Sequence, residues 1–232
     1  MKILIGTVLW KRHELFKKFV RHHNQFDADI LVIGSEGYES ENLCKDLGCY
    51  YLEHPNLPLK LKYNRRIDFF LEHDEYTHLL MLGSDDFIDP HVFNYIAKNC
   101  NSYDIISWSD LWIYGTREDE LLYLSGYKKN TGRVGEPYAP GRCISRKVIE
   151  ELGGKLWDTN SRNAPDLSLW EKLKQFPNHK IIDAQSLGGF IVDVKGDYNI
   201  NSYSAIKHSR CFSQIIKSGM VIEKVRQILK DE

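Results

Sequence analysis

The run Leu79-Leu80-Met81-Leu82 constrains this chain most. Four consecutive apolar residues without polar alternation predict a strand covered on both faces, as in the middle of a parallel sheet flanked by helices. The run ends abruptly in Gly83-Ser84-Asp85-Asp86, and three residues on Asp89-Pro90 forms a helix start, the carboxylate capping free amides and the proline suiting the first turn.

The residues before it repeat the same alternation. Ile3 to Leu9 reads as a strand, and Leu15, Phe16, Phe19 and Val20 share one face of a following helix. Ile30 to Ile33 is a second buried strand, followed by a helix through Leu43 and Leu47 that stops at Gly48, and Cys49 to Leu52 is a third. A helix beginning near Tyr63 presents Ile67, Phe69, Phe70 and Leu71. This order predicts an α/β fold, a doubly wound, mostly parallel sheet whose ligands sit outside the carboxyl ends of the strands. The second half is less regular, with strands expected at 104–108, 121–124 and 189–194 and a closing helix over 213–229. We expect a single domain over 1–232, divided into a first half (1–100), a second half (101–210) and a C-terminal helix (211–232).

Charge narrows the partners. Lys+Arg number 31 against 32 Asp+Glu, a net charge of −1, which removes the blanket electrostatic case for a polyanion binder and leaves local patches open. The five cysteines are odd in number and lack a C-x-x-C pair, so neither a disulfide framework nor a zinc ribbon is indicated and a reducing compartment fits. No apolar run approaches the roughly 20 residues that cross a bilayer, and Met1 to Trp10 is too short for a signal peptide. The expectation is a cytoplasmic protein without a transmembrane segment.

Asp85 and Asp86 are adjacent acids directly after the most buried strand, where ionised neighbours repel unless a cation lies beside them. Mg²⁺ or Mn²⁺ is held by one or two carboxylates plus nucleotide phosphates, so two acids suffice. The alternative is a turn cap ahead of Pro90. The metal reading, and any enzyme assignment built on it, goes down if these side chains turn away from any cleft or are locked in ion pairs with the chain's own arginines.

The segment His78-Leu79-Leu80-Met81-Leu82-Gly83-Ser84-Asp85-Asp86 resembles the strand and acidic motif of GT-A glycosyltransferases, particularly the family 2-like group. Upstream, Asn56 to Asn64 is similar to the segment in which a basic residue and an asparagine open the preceding helix. Downstream, Pro140 to Gly154 and then Asp166-Leu167-Ser168-Leu169-Trp170-Glu171-Lys172 look like the acceptor-side strand and helix and the motif that carries the base. Gly83 stands where many members have a first aspartate, and Pro165 where an acid precedes the base.

The resemblance implies an inverting, metal-dependent transferase that moves a sugar from a nucleotide sugar, UDP-linked by preference, to a hydroxyl on a saccharide, a lipid-linked sugar, a protein or a hydroxymethylated DNA base. The first half then binds the donor and the second the acceptor. Asp86 would bind the cation, with Ser84 and Asp85 beside it and Asp85 contacting the ribose or sharing the metal. Thr7 and Glu36 match positions that hold base and ribose, Glu36 as an acceptor of N–H or O–H groups. Lys62 would neutralise a phosphate and Asn64 orient the neighbouring loop. Asp166 is the general base, and His208 a returning metal ligand that favours Mn²⁺.

Each has a plainer alternative: turn chemistry for Thr7 and Glu36, a solvated helix start for Lys62 and Asn64, a helix start capped by Asn163 for Asp166, a surface position for His208. Asp193 and Lys195, ending an apolar strand, could serve the acceptor or the diphosphate. Between 127 and 147, Lys128, Lys129, Arg133, Arg142, Arg146 and Lys147 face one acid, Glu136, in what reads as a solvated loop or a cover for phosphate, nucleic acid included. Tyr127, Tyr138, Trp108, Trp112 and Trp157 could stack on a sugar or base, or pack inside. Rival functions are a sugar-phosphate nucleotidyltransferase, which needs no acceptor-side base, and a non-catalytic nucleotide-sugar-binding protein.

Overall fold

The computed structural model describes residues 2–127, 132–158, 165–196, 199, 202–209 and 212–230. In chain order the first half runs β1 (Ile3–Val8), α1 (His13–His23), β2 (Ala28–Gly34), α2 (Tyr38–Asp46), β3 (Tyr50–Glu53), α3 (Leu59–Glu72), β4 (His78–Met81), β5 (Asp86–Ile88) and α4 (Pro90–Asn99). The second half runs β6 (Ile105–Trp108), β7 (Leu111–Gly115), β8 (Glu120–Leu124), β9 (Tyr138–Ser145), α5 (Arg146–Glu151), α6 (Pro165–Leu173), β10 (His179–Ile182), β11 (Ile191–Lys195), α7 (Tyr203–His208), β12 (Gln214–Ile216) and α8 (Met220–Lys230).

A seven-stranded sheet has the order β10-β6-β9-β4-β1-β2-β3. All its pairs are parallel except those of β9, which runs antiparallel between β4 and β6. The strand period of two explains its continuous apolar runs. Ile3, Ile5, Ile30, Val32 and Leu80 point into one core with Phe16 and Phe19 of α1 and Val92 and Ile96 of α4. Their neighbours Leu4, Leu31, Ile33, Leu79 and Met81 point into a second core with Ile67 and Phe70 of α3, Val148 of α5 and Leu169 of α6. A mixed α/β fold with a mostly parallel sheet between helices is therefore what the sequence pattern encodes.

A second, five-stranded sheet, β12-β8-β7-β11-β5, packs onto the first core. Its link to the first sheet is short: β4 ends at Met81, the chain turns through Gly83, and β5 begins at Asp86 itself. Asp89 caps α4, its side chain accepting from the His91 N–H at 2.9 Å.

Three sequence expectations are corrected. The closing helix begins at Met220 rather than Ser213, because Gly219 takes φ +122° and Gln214–Ile216 pairs with β8 as an edge strand. The helix after the proline loop begins at Leu59, not near Tyr63. Tyr138–Ser145 is a buried strand in the middle of the sheet rather than part of a solvated loop; Lys128 and Lys129 lie outside the described residues. Cys44, Cys49, Cys100 and Cys143 are in no disulfide, and Cys211 lies outside the described residues. Among the described residues no helix is long and apolar enough to cross a membrane.

Candidate active site

A cleft of about 530 Å³ opens where β1 and β4 end, and both Asp85 and Asp86 line it. The turn that delivers them is tight. The Asp86 N–H donates to the Gly83 carbonyl at 3.1 Å, while the Gly83 N–H donates to Asp86 Oδ2 at 2.5 Å. A Cβ at Gly83 would fall 2.6 Å from Asp85 Oδ1 and 2.9 Å from Asp86 Oδ2, so the two carboxylates fold over the one residue that leaves them room.

A third acid joins from across the chain. β5 and β11 pair antiparallel with Asp86 opposite Asp193, and the Val194 N–H donates to the Asp85 carbonyl at 2.8 Å. Asp85, Asp86 and Asp193 each offer a carboxylate oxygen, all within 4.8 Å of one another. Burial, then Asp193 and Asp85, drives the Asp86 carboxyl well above the usual range. Burial also lifts Asp193, to about 6, against the pull of Lys195, whose Nζ is 2.5 Å away. Asp193 Oδ1 is buried without a hydrogen-bond partner. Crowded acids, an orphaned carboxylate oxygen and a cradle that a Cβ would fill all fit a hard divalent cation.

The requirement that both acids be free of the chain's own arginines is met by Asp86 and not by Asp85. Arg12 Nη1 lies 2.5 Å from Asp85 Oδ2, and Asn199 Nδ2 donates to the same oxygen at 2.5 Å. Part of the cluster's charge is thus already offset by Arg12 and Lys195.

The other wall of the cleft carries Asp166, in the first turn of α6, with Arg66, Arg142, Tyr63 and Trp157. Burial raises the Asp166 carboxyl, and Arg142, Arg133 and Arg66 restrain the rise. Arg66 is held between aromatic rings, its guanidinium 5.0 Å from the Tyr63 centroid and 4.9 Å from that of Trp157. Asn163, expected as the cap of this helix, lies outside the described residues.

The remaining candidates divide. Lys62 lines the cleft but is committed to the chain, donating to Leu9 O at 2.7 Å and Asn56 Oδ1 at 3.1 Å, and burial lowers its ammonium to about 8. Glu36 is off the cleft wall: it accepts the Lys11 N–H at 3.0 Å and the Ser40 hydroxyl at 3.1 Å, and its Oε2 is 3.1 Å from His13 Nε2, which fixes the loop after β1. Asn64 grips the Trp157 backbone, donating to its carbonyl at 2.8 Å and accepting its N–H at 3.1 Å. Ser84 is fully buried and its hydroxyl has no partner.

Two are corrected. Thr7 is fully buried within β1 and does not reach the cleft, where Val8 and Leu9 stand instead. His208 is exposed on α7, with Nδ1 2.6 Å from Ser204 O, and is not part of the acid cluster; Asp193 occupies that place.

The basic segment is also more structural than its composition suggests. Arg146 donates to the carbonyls of Phe70, Leu71, His73 and Tyr76, closing the end of α3. Arg133 pairs with Glu136 and Lys147 with Asp104. Trp108 and Trp112 are buried in the core, whereas Tyr127, Tyr138 and Trp157 reach the cleft.

No family model and no curated protein matches the chain. Solved structures do. The glycosyltransferase TarS (residues 1–349) of S. aureus aligns with TM-score 0.55 at 9% identity, over 84% of this chain and 60% of that one. The fold is GT-A-like. The same framework carries a second chemistry: the inositol-1-phosphate CTP transferase from T. maritima aligns with TM-score 0.51 at 14% identity, over 99% of this chain and 97% of that one. A 4-diphosphocytidyl-2C-methyl-D-erythritol synthase aligns with TM-score 0.51 at 9% identity, over 80% of this chain and 92% of that one. A GT-A-like sheet is therefore shared by glycosyl- and nucleotidyltransferases, and the distinction must come from the site.

Proposed function

We propose that this chain is an inverting, metal-dependent glycosyltransferase that moves a sugar from a nucleotide sugar, a UDP-sugar by preference, to a hydroxyl acceptor. The observation that carries it is Asp166, a partly buried carboxylate lining the same cleft as the acid cluster, with no hydrogen-bond or ion-pair partner among the described residues. Nucleotidyl transfer has no use for a base there. Hydroxyl activation does.

Asp86 and Asp193 would hold Mn²⁺ or Mg²⁺, with Asp85 offering only the oxygen that Arg12 and Asn199 do not engage, and such a cation, when bound, would supply Lewis-acid assistance to a departing diphosphate. Lys62 and Lys195 place further positive charge at that end of the cleft. Asp166 accepts the proton of the acceptor hydroxyl as its oxygen bonds to the anomeric carbon and the bond to the diphosphate oxygen breaks. One in-line displacement inverts the centre. Tyr63, Trp157 and Arg142 line the same cleft as Asp166. The four described cysteines, in no disulfide, support a reducing, cytoplasmic setting.

A thermal-shift panel of UDP-, GDP-, CDP- and dTDP-sugars with and without Mn²⁺ tests the reading: one donor should stabilise the protein only with metal. Stabilisation by none removes it. The overlap with the CTP transferases keeps nucleotidyl transfer as the second reading. Pyrophosphate release from a nucleoside triphosphate and a sugar phosphate, without sugar transfer from any labelled donor, would decide for it.

A further inference from the structure

Arg142 is fully buried on the wall of the cleft, yet its guanidinium is left short of acceptors. Nη2 donates to Pro137 O at 3.2 Å, and Nε and Nη1 have no partner. Arg66, 5% exposed, donates Nη1 to Gly6 O at 3.1 Å and leaves Nε unpaired. The indole N–H of Trp157, on the same wall, is also unpaired. A buried cation without a partner is costly and is normally paired.

The backbone is shaped to place Arg142 there. Ile106 of β6 pairs with Cys143, but Trp108 pairs with Tyr138, so Ala139, Pro140, Gly141 and Arg142 leave the β6 ladder while Arg142 still pairs with Met81 of β4. Gly141 takes φ +77°, its carbonyl accepts the Trp108 indole N–H at 2.7 Å, and a Cβ there would sit 2.9 Å from the Ile191 side chain. Bulges of this kind re-aim a side chain next to a site.

Charge counts decide what is missing. Arg133 is neutralised by Glu136. Arg66 and Arg142 then face one carboxylate, Asp166, which makes no hydrogen bond to either, so among the described residues this end of the cleft carries one uncompensated positive charge and buried N–H donors without an acceptor.

We propose that Arg142 and Arg66 form an anion subsite that takes a carboxylate or phosphate group of the acceptor, beside the hydroxyl presented to Asp166. This rests on the transferase reading above and adds the acceptor's class: an acidic molecule, such as a sugar acid or a phosphate ester. A guanidinium fork matches both anions, and hydrogen bonds to the charged form are the strong ones.

The test does not need turnover. Binding of methyl phosphate and of acetate to the full chain is measured by calorimetry at constant ionic strength, without metal or nucleotide, for the native protein, Arg142→Gln, Arg142→Lys and, as a charge-matched control outside the cleft, Lys147→Met. One of the two anions should bind the native protein, Arg142→Gln should weaken it at least about tenfold, Arg142→Lys should fall between, and Lys147→Met should leave it unchanged. Equal affinity in the native and Arg142→Gln proteins, or an equal loss in Lys147→Met, overturns the subsite. Arg142→Lys covers failure of the glutamine variant to fold. With donor present, KM for an anionic acceptor should rise in Arg142→Gln while that for a neutral acceptor holds. Weakened binding of a UDP-uronate with acceptor KM unchanged would instead assign the anion to the donor sugar and overturn the acceptor assignment. Anion binding without any sugar transfer would leave the subsite standing and remove the transferase reading.

Discussion

The two ends of the cleft differ in what they crowd together: carboxylates at one, guanidinium groups at the other. At one, Asp85, Asp86 and Asp193 crowd together, and burial with mutual repulsion pushes Asp86 and Asp193 toward their neutral forms. At the other, burial lowers Arg66 to about 10 and depresses Arg142, while Asp166 is raised. Each end keeps unpaired groups of its own, Asp193 Oδ1 at the first and the Arg142 and Arg66 N–H donors at the second. A site of that kind suits two guests that meet in the middle, a cation-bound diphosphate on the acid side and an acidic acceptor on the arginine side. Neither half would be informative alone, since acid turns and buried arginines are both met in proteins without catalysis.

The sharpest way to break this comparison is to neutralise one carboxylate at each end. Asp166→Asn should lower kcat by about 10²–10⁴-fold and leave Mn²⁺-dependent stabilisation by the donor intact. Asp86→Asn should abolish that metal-dependent stabilisation, and adding EDTA to the native protein should reproduce its effect. Steady-state rates and thermal shifts on both variants separate the ends; loss of both readouts in both variants would merge them.

A second contrast lies within the basic segment. Arg146 closes the α3 end with donors to carbonyls at 2.6–3.4 Å, whereas Arg142 lacks acceptors. Arg146→Met should lower the unfolding free energy by about 3 kcal/mol. Arg142→Met should cost nothing or stabilise, since it removes an uncompensated buried charge. Urea unfolding of the two variants reads the difference directly.

That contrast also shows where the sequence is legible. Composition sees six cations between 127 and 147 and cannot see their partners, so Arg146 as a helix closure and Arg142 as a cleft residue looked alike. The first half reads well because β1, β2 and β4 are covered on both faces, and their unbroken apolar runs follow from packing into two cores. The second half reads poorly because β5 and β12 are three-residue strands whose pairing partners are distant in the chain, as Asp86 opposite Asp193 illustrates. Local pattern carries no register across such a distance. For that reason Asp193 reads as an accessory in the sequence and His208 as a ligand, whereas the fold puts Asp193 beside Asp85 and Asp86 and His208 outside that cluster. The one local signal was an acid inside an apolar strand, Val192-Asp193-Val194, where an inward carboxylate needs a purpose.

Gly83 probes the acid end more gently. Gly83→Ala introduces a Cβ against Asp85 Oδ1 and Asp86 Oδ2 and should splay the carboxylates without disturbing either core. Metal affinity, measured by calorimetry, should fall roughly 10–100-fold, the range for changes just behind the ligands. A fully retained affinity would show that the acids tolerate separation and that their convergence over Gly83 is incidental.

The smallest expected effect links the two ends to pH. Asp166 must be ionised to accept a proton, so activity is lost as pH falls through its folded-state pKa. Burial has raised that pKa, and Arg142 is the foremost group holding it down, ahead of Arg133 and Arg66, with Glu136 acting the other way. Removing a cation disfavours the carboxylate, so Arg142→Gln should move the acid limb of the kcat–pH profile to higher pH. Lys147→Met should leave the limb where it is, since Lys147 pairs with Asp104 and is not a cleft residue. An unmoved limb in Arg142→Gln, with kcat itself reduced, would mean that Arg142 acts on the acceptor and not on the base. A limb moved equally by both variants would mean that the titrating group is not Asp166, and the division of the cleft into an acid end and a base end would have to be redrawn.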